Sequence, residues 1–199
     1  MKKILHTLII LLSIVTIQSF SSANTALAGV MDRINSPSVC ALLIGDADVK
    51  TKDFIDILDD KLNSNIDDSK QKKIECGTNI QSKYQEYWFS KDFIEEQKLT
   101  KTDLHEFVKY SGYDRCLYLI VSAPSMEKTR LPSGWFTTSE RTRASVEVKG
   151  FLVDKDKVIK TINITKNDDS MASELRAKRG AFEKCIKELS KEFQPFLFK

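Results

Sequence analysis

The chain has 199 residues, with 31 Lys and Arg against 28 Asp and Glu, a formal net charge of +3 and two histidines. That balance excludes the strongly basic signature of a nucleic-acid binder, and two histidines, one inside an N-terminal leader, exclude a multi-histidine metal centre. Seven glycines, with neither GxGxxG nor the P-loop pattern among them, exclude the usual phosphate cradles.

The first 28 residues, MKKILHTLIILLSIVTIQSFSSANTALA, place Lys2 and Lys3 before a largely apolar run from Ile4 to Ile17 and end on Ala26-Leu27-Ala28. A basic start, an apolar centre and a small-x-small end mark a secretory signal peptide, so the mature chain is expected to begin near Gly29. Ser13, Thr16 and Gln18 interrupt the run, which falls short of the roughly 20 mainly apolar residues of a membrane span; retention as an anchor is the alternative reading. No cysteine stands just after the small residues, as lipid attachment would need, and no second run of membrane length follows. Without the leader the formal charge is +1, because two lysines and no acid are removed. Residues 29–199 then suffice for a single domain with a real core and are too few for two.

VCALLIG (39–45) is apolar without alternation, which suits a strand covered on both faces. Phe54, Ile57, Leu58 and Leu62 recur at helical spacing and predict an amphipathic helix over 51–64. KKIECG (72–77) is a short strand with a charged start, expected at a sheet edge. The aromatic stretch IQSKYQEYWFSKDF is ambiguous, and Ser90 is placed to cap a short helix through Gln97. Thr100-x-x-Asp103 forms a capping box for a helix faced by Leu104, Phe107 and Val108, and Gly112 fits the left-handed residue at its end. CLYLIVSAP (116–124) is a second buried strand, stopped by Pro124.

Residues 125–142 carry Pro132, Gly134 and many hydroxyls and read as a long loop. From Arg143 the alternation is clean: Ala144, Val146, Val148 and Leu152 oppose Arg143, Ser145, Glu147 and Lys149. With Val158, Ile162 and Ile164 beyond a polar turn, 143–165 predicts an antiparallel hairpin. A last helix over about 170–193 carries a stripe of Leu175, Phe182, Ile186, Leu189 and Phe193, with Cys185 on the same side. Right-handed crossovers order the first three strands 2-1-3. The fold class is therefore α/β, a mixed sheet with this C-terminal hairpin beyond the third strand and three to four helices on its faces.

This layout resembles the amino-terminal α/β domain of TolB and similar bacterial envelope modules. The matching residues are LTKTDLHEFVKYSGYDRCLYLIV (99–121), where a helix ends at Gly-Tyr-Asp and feeds a buried strand, VEVKGFLVDKDKVIKT (146–161), and LRAKRGAFEKCIKEL (175–189). The resemblance implies a domain that serves protein contacts and brings no catalytic residues.

Cys40, Cys76, Cys116 and Cys185 lie 36, 40 and 69 residues apart, matching no zinc or Cys-x-x-Cys pattern. An exported chain with an even number can form two disulfides, whereas the apolar surroundings of Cys40, Cys116 and Cys185 suit structural thiols. Both readings stand. His105, the one histidine beyond the leader, sits on a polar helix face as a surface residue; any Ser-His-Asp or Cys-His device would have to use it. Asp46 and Asp48 follow the first strand, where α/β sheets collect ligands, and equally suit capping. Asp59-Asp60, Asp67-Asp68 and Asp168-Asp169 read as a solvated helix face and polar turns. Arg176, Lys178 and Arg179 make a basic patch diluted by Glu174, Glu183 and Glu188. Tyr84, Tyr87, Trp88 and Phe89 form either a packing face or an aromatic groove.

The 125–142 segment offers the contact-forming composition: Trp135 and Phe136 with Arg130, Arg141 and Arg143, a mixture typical of protein hot spots, unless the two aromatics fold back over the sheet. The expected function is that of an exported, non-catalytic module in the periplasm or cell envelope. It binds another envelope protein through this segment and the hairpin edge, with no cofactor, no metal, no nucleic acid and no stable membrane span after leader removal. A small extracytoplasmic enzyme using Asp46, Asp48 and His105, or a thiol-redox protein, is the alternative.

Overall fold

β1 (Val39–Ile44) is buried along all six residues. It pairs in parallel with β2 (Ile74–Glu75) on one side and with β3 (Arg115–Val121) on the other, in register from Val39↔Arg115 to Ile44↔Ile120. Alternate side chains feed two cores, because successive residues of a strand point to opposite faces: Val39, Ala41 and Leu43 to one, Cys40, Leu42 and Ile44 to the other. The computed structural model describes residues 37–45, 47–64, 66, 73–91, 100–132 and 138–199, and everything below concerns these.

The first core lies under α1 (Lys52–Asn63) and α4 (Glu174–Leu197). Phe54, Ile55, Leu58 and Leu62 make the buried stripe of α1, and Phe54 meets Phe182 of α4 edge-on at 5.0 Å. Gly45 links β1 to a 3-10 turn at Ala47–Val49 with φ +154°, and a Cβ there would stand 2.8 Å from Val121 O, so only glycine lets β1 leave the sheet this way. Asn63 at the end of α1 clamps the two-residue edge strand, its amide donating to Ile74 O at 3.1 Å and its carbonyl accepting from Ile74 N at 2.8 Å.

The second core lies under α2 (Thr78–Ser90) and α3 (Lys101–Ser111). Phe107 is its hub: Tyr84 packs edge-on at 5.0 Å, Tyr87 at 5.4 Å and Tyr118 of β3 at 6.3 Å. The capping box is complete, with Thr100 Oγ1 accepting from Asp103 N and Asp103 Oδ2 accepting from Thr100 N. Gly112 closes α3 at φ 81°. The ambiguous aromatic stretch is helix as far as Ser90, whose hydroxyl donates to Tyr87 O at 2.7 Å; the short helix expected through Gln97 lies outside the described residues. Phe89 stays 76% exposed, while Tyr84 and Tyr87 pack.

Beyond β3 the sheet continues as β5 (Thr138–Asp154), with β6 (Val158–Ser170) on its far edge. The expected 2-1-3 order and antiparallel hairpin are both present, in a mixed sheet ordered β2-β1-β3-β5-β4 with β6 paired to β5. The loop over 125–142 is not: Ser125–Pro132 is a strand, β4, paired with β5 from Ser125↔Ser145 to Pro132↔Thr138. β3 and β4 therefore lie end to end along one edge of β5. Six of the eight residues of β4 are exposed, so no hydrophobic alternation marks it; its ladder to β5 makes it a strand, which periodicity cannot report.

Two further expectations are corrected. β6 runs on to Ser170, whose Oγ accepts from Ala172 N and Ser173 N, so the last helix starts at Glu174 with Ser173 as its cap. Leu175 then falls in the first turn, 49% exposed and off the stripe formed by Phe182, Cys185, Ile186, Leu189 and Phe193. At the other end of α4, the Arg115 guanidinium donates to the carbonyls of Phe196, Leu197 and Lys199, satisfying groups that a helix leaves unpaired. No helix of the described residues is long and apolar enough to cross a membrane.

Candidate protein-contact surface

Helix α4 packs on one side of β5 and β6, over Val146, Val148, Leu152 and Ile164. On the other side α2 and α3 reach only the start of β3 and the end of β5, around Phe151 and Val153. The remainder of β5, with β4 and β6, forms an arm of which one face is bare among the described residues. Burial along β5 alternates accordingly: Thr142, Ala144, Val146 and Val148 are buried against the α4 side, while Arg141, Arg143 and Lys149 are exposed and Ser145 and Glu147 half-buried on the bare side.

Register assembles the bare face into cross-strand rows. Glu127, Arg143 and Asp169 align across β4, β5 and β6, and the next row is Ser125, Ser145 and Asn167. Arg141 Nη2 reaches Asp169 Oδ2 at 2.5 Å and Arg143 Nε lies 3.8 Å from Asp169 Oδ1. Asn163 Nδ2 donates to Glu147 Oε1 at 2.7 Å. Two shallow hollows open between these rows, about 280 Å³ beside Ser125, Arg143 and Asn167 and about 250 Å³ beside Thr129, Arg141 and Asp169. Such a surface is polar and open. It offers donors and acceptors to another macromolecule and lacks the deep apolar enclosure that holds small ligands.

Of the expected contact residues, Arg141 and Arg143 share this face, with side chains 48% and 55% exposed. Arg130 does not join them. It stands in register with Glu140, in the row next to Lys128, which bonds Glu174 at 2.5 Å and ties β4 to the first turn of α4. This bond raises the Lys128 pKa and lowers that of Glu174. Trp135 and Phe136 lie outside the described residues. Sequence reasoning missed Asn167 and Asp169, having assigned Asp168-Asp169 to a polar turn. The sequence carried no signal for this, since apolar alternation ends at Ile164 and the following inward positions are Lys166, Asp168 and Ser170; only burial continues the alternation to Ser170.

The other candidates disperse. Asp48 pairs with Lys178 of α4 at 3.5 Å, beyond the carboxyl end of β1. His105 is half-buried rather than on the surface, its Nδ1 2.9 Å from Asp154 O; a carbonyl only accepts, so that nitrogen carries the proton. Asp154 pairs with Arg115, level with the start of β1. Asp48 and His105 are thus at opposite ends of a six-residue strand, roughly 20 Å, and on opposite faces of the sheet, far outside the reach of acid–base partners. Asp46 lies outside the described residues. Arg179 and Lys178 are spent on Asp53 and Asp48.

All four cysteines carry free, buried thiols. Burial holds Cys76 and Cys116 well above the ordinary thiol value and pushes Cys185 up to about 11, which disfavours the thiolate that redox chemistry needs.

No protein-family model and no curated protein matches the chain. Solved structures similar to it include bacterial lipoproteins. Lipoprotein GNA1162 from Neisseria meningitidis is 12% identical with a TM-score of 0.42, covering 80% of this chain and 99% of that one. A minor lipoprotein from Acinetobacter baumannii is 10% identical at 0.40, covering 81% and 93%, and rare lipoprotein B from Shewanella oneidensis is 9% identical at 0.29, covering 78% and 91%.

Proposed function

We propose that this chain is an exported, non-catalytic module of the cell envelope, and that another envelope protein docks on the arm formed by β4, β5 and β6. One observation carries the reading: the arm extends past α2 and α3 with a row-ordered polar face centred on Arg141, Arg143 and Asp169, which no other element among the described residues covers. The leader over residues 1–28 supports an extracytoplasmic location, and the resemblance to the TolB amino-terminal domain supports a role in protein contact. Trp135 and Phe136, between β4 and β5 in sequence, supply the aromatic anchors such interfaces favour.

A photo-crosslinking residue placed at Ser145, in the middle of the bare face, tests this in the native envelope. The expected result is a discrete adduct that weakens in a chain carrying Arg141→Ser with Arg143→Ser, and again with Trp135→Ala and Phe136→Ala. An adduct unchanged by both sets, from folded protein, overturns the assignment of the arm. Recovery of the chain in the cytosol with Met1 retained overturns the location.

A further inference from the structure

We propose that the outer edge of β6 joins two copies of this chain, each adding its sheet to the other in antiparallel fashion about a two-fold axis at Ile164. The inference goes beyond the docking of a partner on the arm and stands independently of it.

The hydrogen-bond parity of the sheet shows what the edge offers. Ser122 N donates to Glu147 O at 3.1 Å, so odd-numbered residues of β5 direct their backbone groups toward β3 and even-numbered ones toward β6. With Val148 opposite Ile164 and Val146 opposite Lys166, the even-numbered residues of β6 bond inward. The backbone groups of Thr161, Asn163, Thr165 and Asn167 face out. Lys184 Nζ reaches the Asn167 carbonyl from outside at 3.2 Å, in agreement. All four residues are exposed, and β6 pairs only with β5 among the described residues.

At 13 residues β6 is long for an edge, since strands average about 5–6 residues. It contains no proline, and its one irregularity lies at its start, between Val158 and Lys160, leaving the ladder from Lys160 to Ser170 regular. Natural proteins usually blunt such edges; here Lys184 takes the Asn167 carbonyl, and the outward groups of Thr161, Asn163 and Thr165 are left where a strand could add.

The side chains select a second copy and fix the register. Outward-bonding residues are odd-numbered, so an antiparallel self-pairing must set odd opposite odd. Pairing Asn163 with Thr165 of the other copy sets Thr161 opposite Asn167 on the bare face. On the α4 side it sets Lys160 opposite Asp168, and Ile164 opposite itself at the axis. Every charged residue on the α4 side then meets an opposite charge or an aliphatic neighbour. Sliding one step, so that Asn163 meets itself, brings Lys160 against Lys166; sliding the other way sets Ile162 against Asp168. Opposite charges across strands stabilise and like charges destabilise, so the strand is complementary to itself in one register. Within its own chain Lys160 sits over the Phe196 ring at 5.5 Å and Asp168 bonds Lys184 at 2.6 Å, so pairing across the edge would share these side chains with α4. The contact is isologous and closes as a dimer.

Sedimentation equilibrium of the purified chain tests this. The unmodified chain is expected to be a dimer. Lys160→Glu sets two carboxylates opposite each other and should weaken association about tenfold or more. Asp168→Lys added to Lys160→Glu reverses the pair and should restore the dimer, which separates a lost contact from a lost fold. Ile164→Cys should form an intermolecular disulfide under mild oxidation, reporting the register at the axis. A chain that is monomeric at every concentration reached, or a dimer whose strength ignores both charge variants and whose Ile164→Cys form does not crosslink, overturns the proposal.

Discussion

β1 and β4 belong to one sheet, yet they obey opposite rules. β1 is five aliphatic residues and a cysteine, all buried, because helices lie on both of its faces. β4 reads Ser-Met-Glu-Lys-Thr-Arg-Leu-Pro and is largely exposed, because only its ladder to β5 requires it to be a strand. The comparison separates two meanings of strand: one in which side chains make the core, and one in which the backbone pairs and the side chains are released for other uses. The covered half, β2-β1-β3, is devoted to stability. The arm is where contacts can be placed at little cost to the fold.

The largest test of this division is Phe107→Ala. Phe107 is fully buried among Tyr84, Tyr87 and Tyr118, and its loss should lower stability by about 3–5 kcal/mol, read as a shift of the urea midpoint. A loss of under a third of that would mean the covered half is not the stabilising one. Gly150→Ala sharpens the boundary, since a Cβ there would meet the Phe193 ring at 2.6 and 2.9 Å. We expect a destabilisation of about 1–3 kcal/mol from overpacking, showing that the α4 side of β5 belongs with the core.

A smaller effect is expected at Asp114, in the turn that leads into β3. The backbone N–H of Ser38, the Ser38 hydroxyl and Lys155 lower its pKa against the opposing effect of burial. A carboxylate with a folded pKa below its unfolded value, about 3.9, contributes stability in full above that value and loses it as pH falls through the folded one. Exposure limits the contribution to under about 1 kcal/mol. Denaturation at a series of acid pH values should show a shallower pH dependence in Asp114→Asn than in the parent, and identical curves would sink the assignment. Smallest of all, Arg141→Ser with Arg143→Ser should change stability by no more than about 0.5 kcal/mol. A larger change would mean the arm face is structural after all.

The same division explains what could be read from the residues alone. β1, β3, α1 and the hairpin announced themselves through uninterrupted or alternating apolar residues, and Thr100, Asp103 and Gly112 marked the bounds of α3, because in each case burial or capping demands particular side chains. β4 left no such trace, so its residues passed for a loop. α2 was obscured because its inward residues, Ile80, Tyr84 and Tyr87, are few and set among polar and aromatic neighbours. At the candidate surface, Arg141 and Arg143 were legible from composition. Their meeting with Asp169 was not, since it depends on the pairing of β5 with β6, and Arg130 was misplaced for the same reason.

The grip of Arg115 on carbonyls 81 to 84 positions further along the chain has a consequence for timing. Until residues 174–197 have been synthesised, the apolar side of β5 has no cover and the guanidinium has no carbonyls to hold. A nascent polypeptide short of that point cannot complete the core that α4 shares with β5, so that core is finished only when the last helix is present.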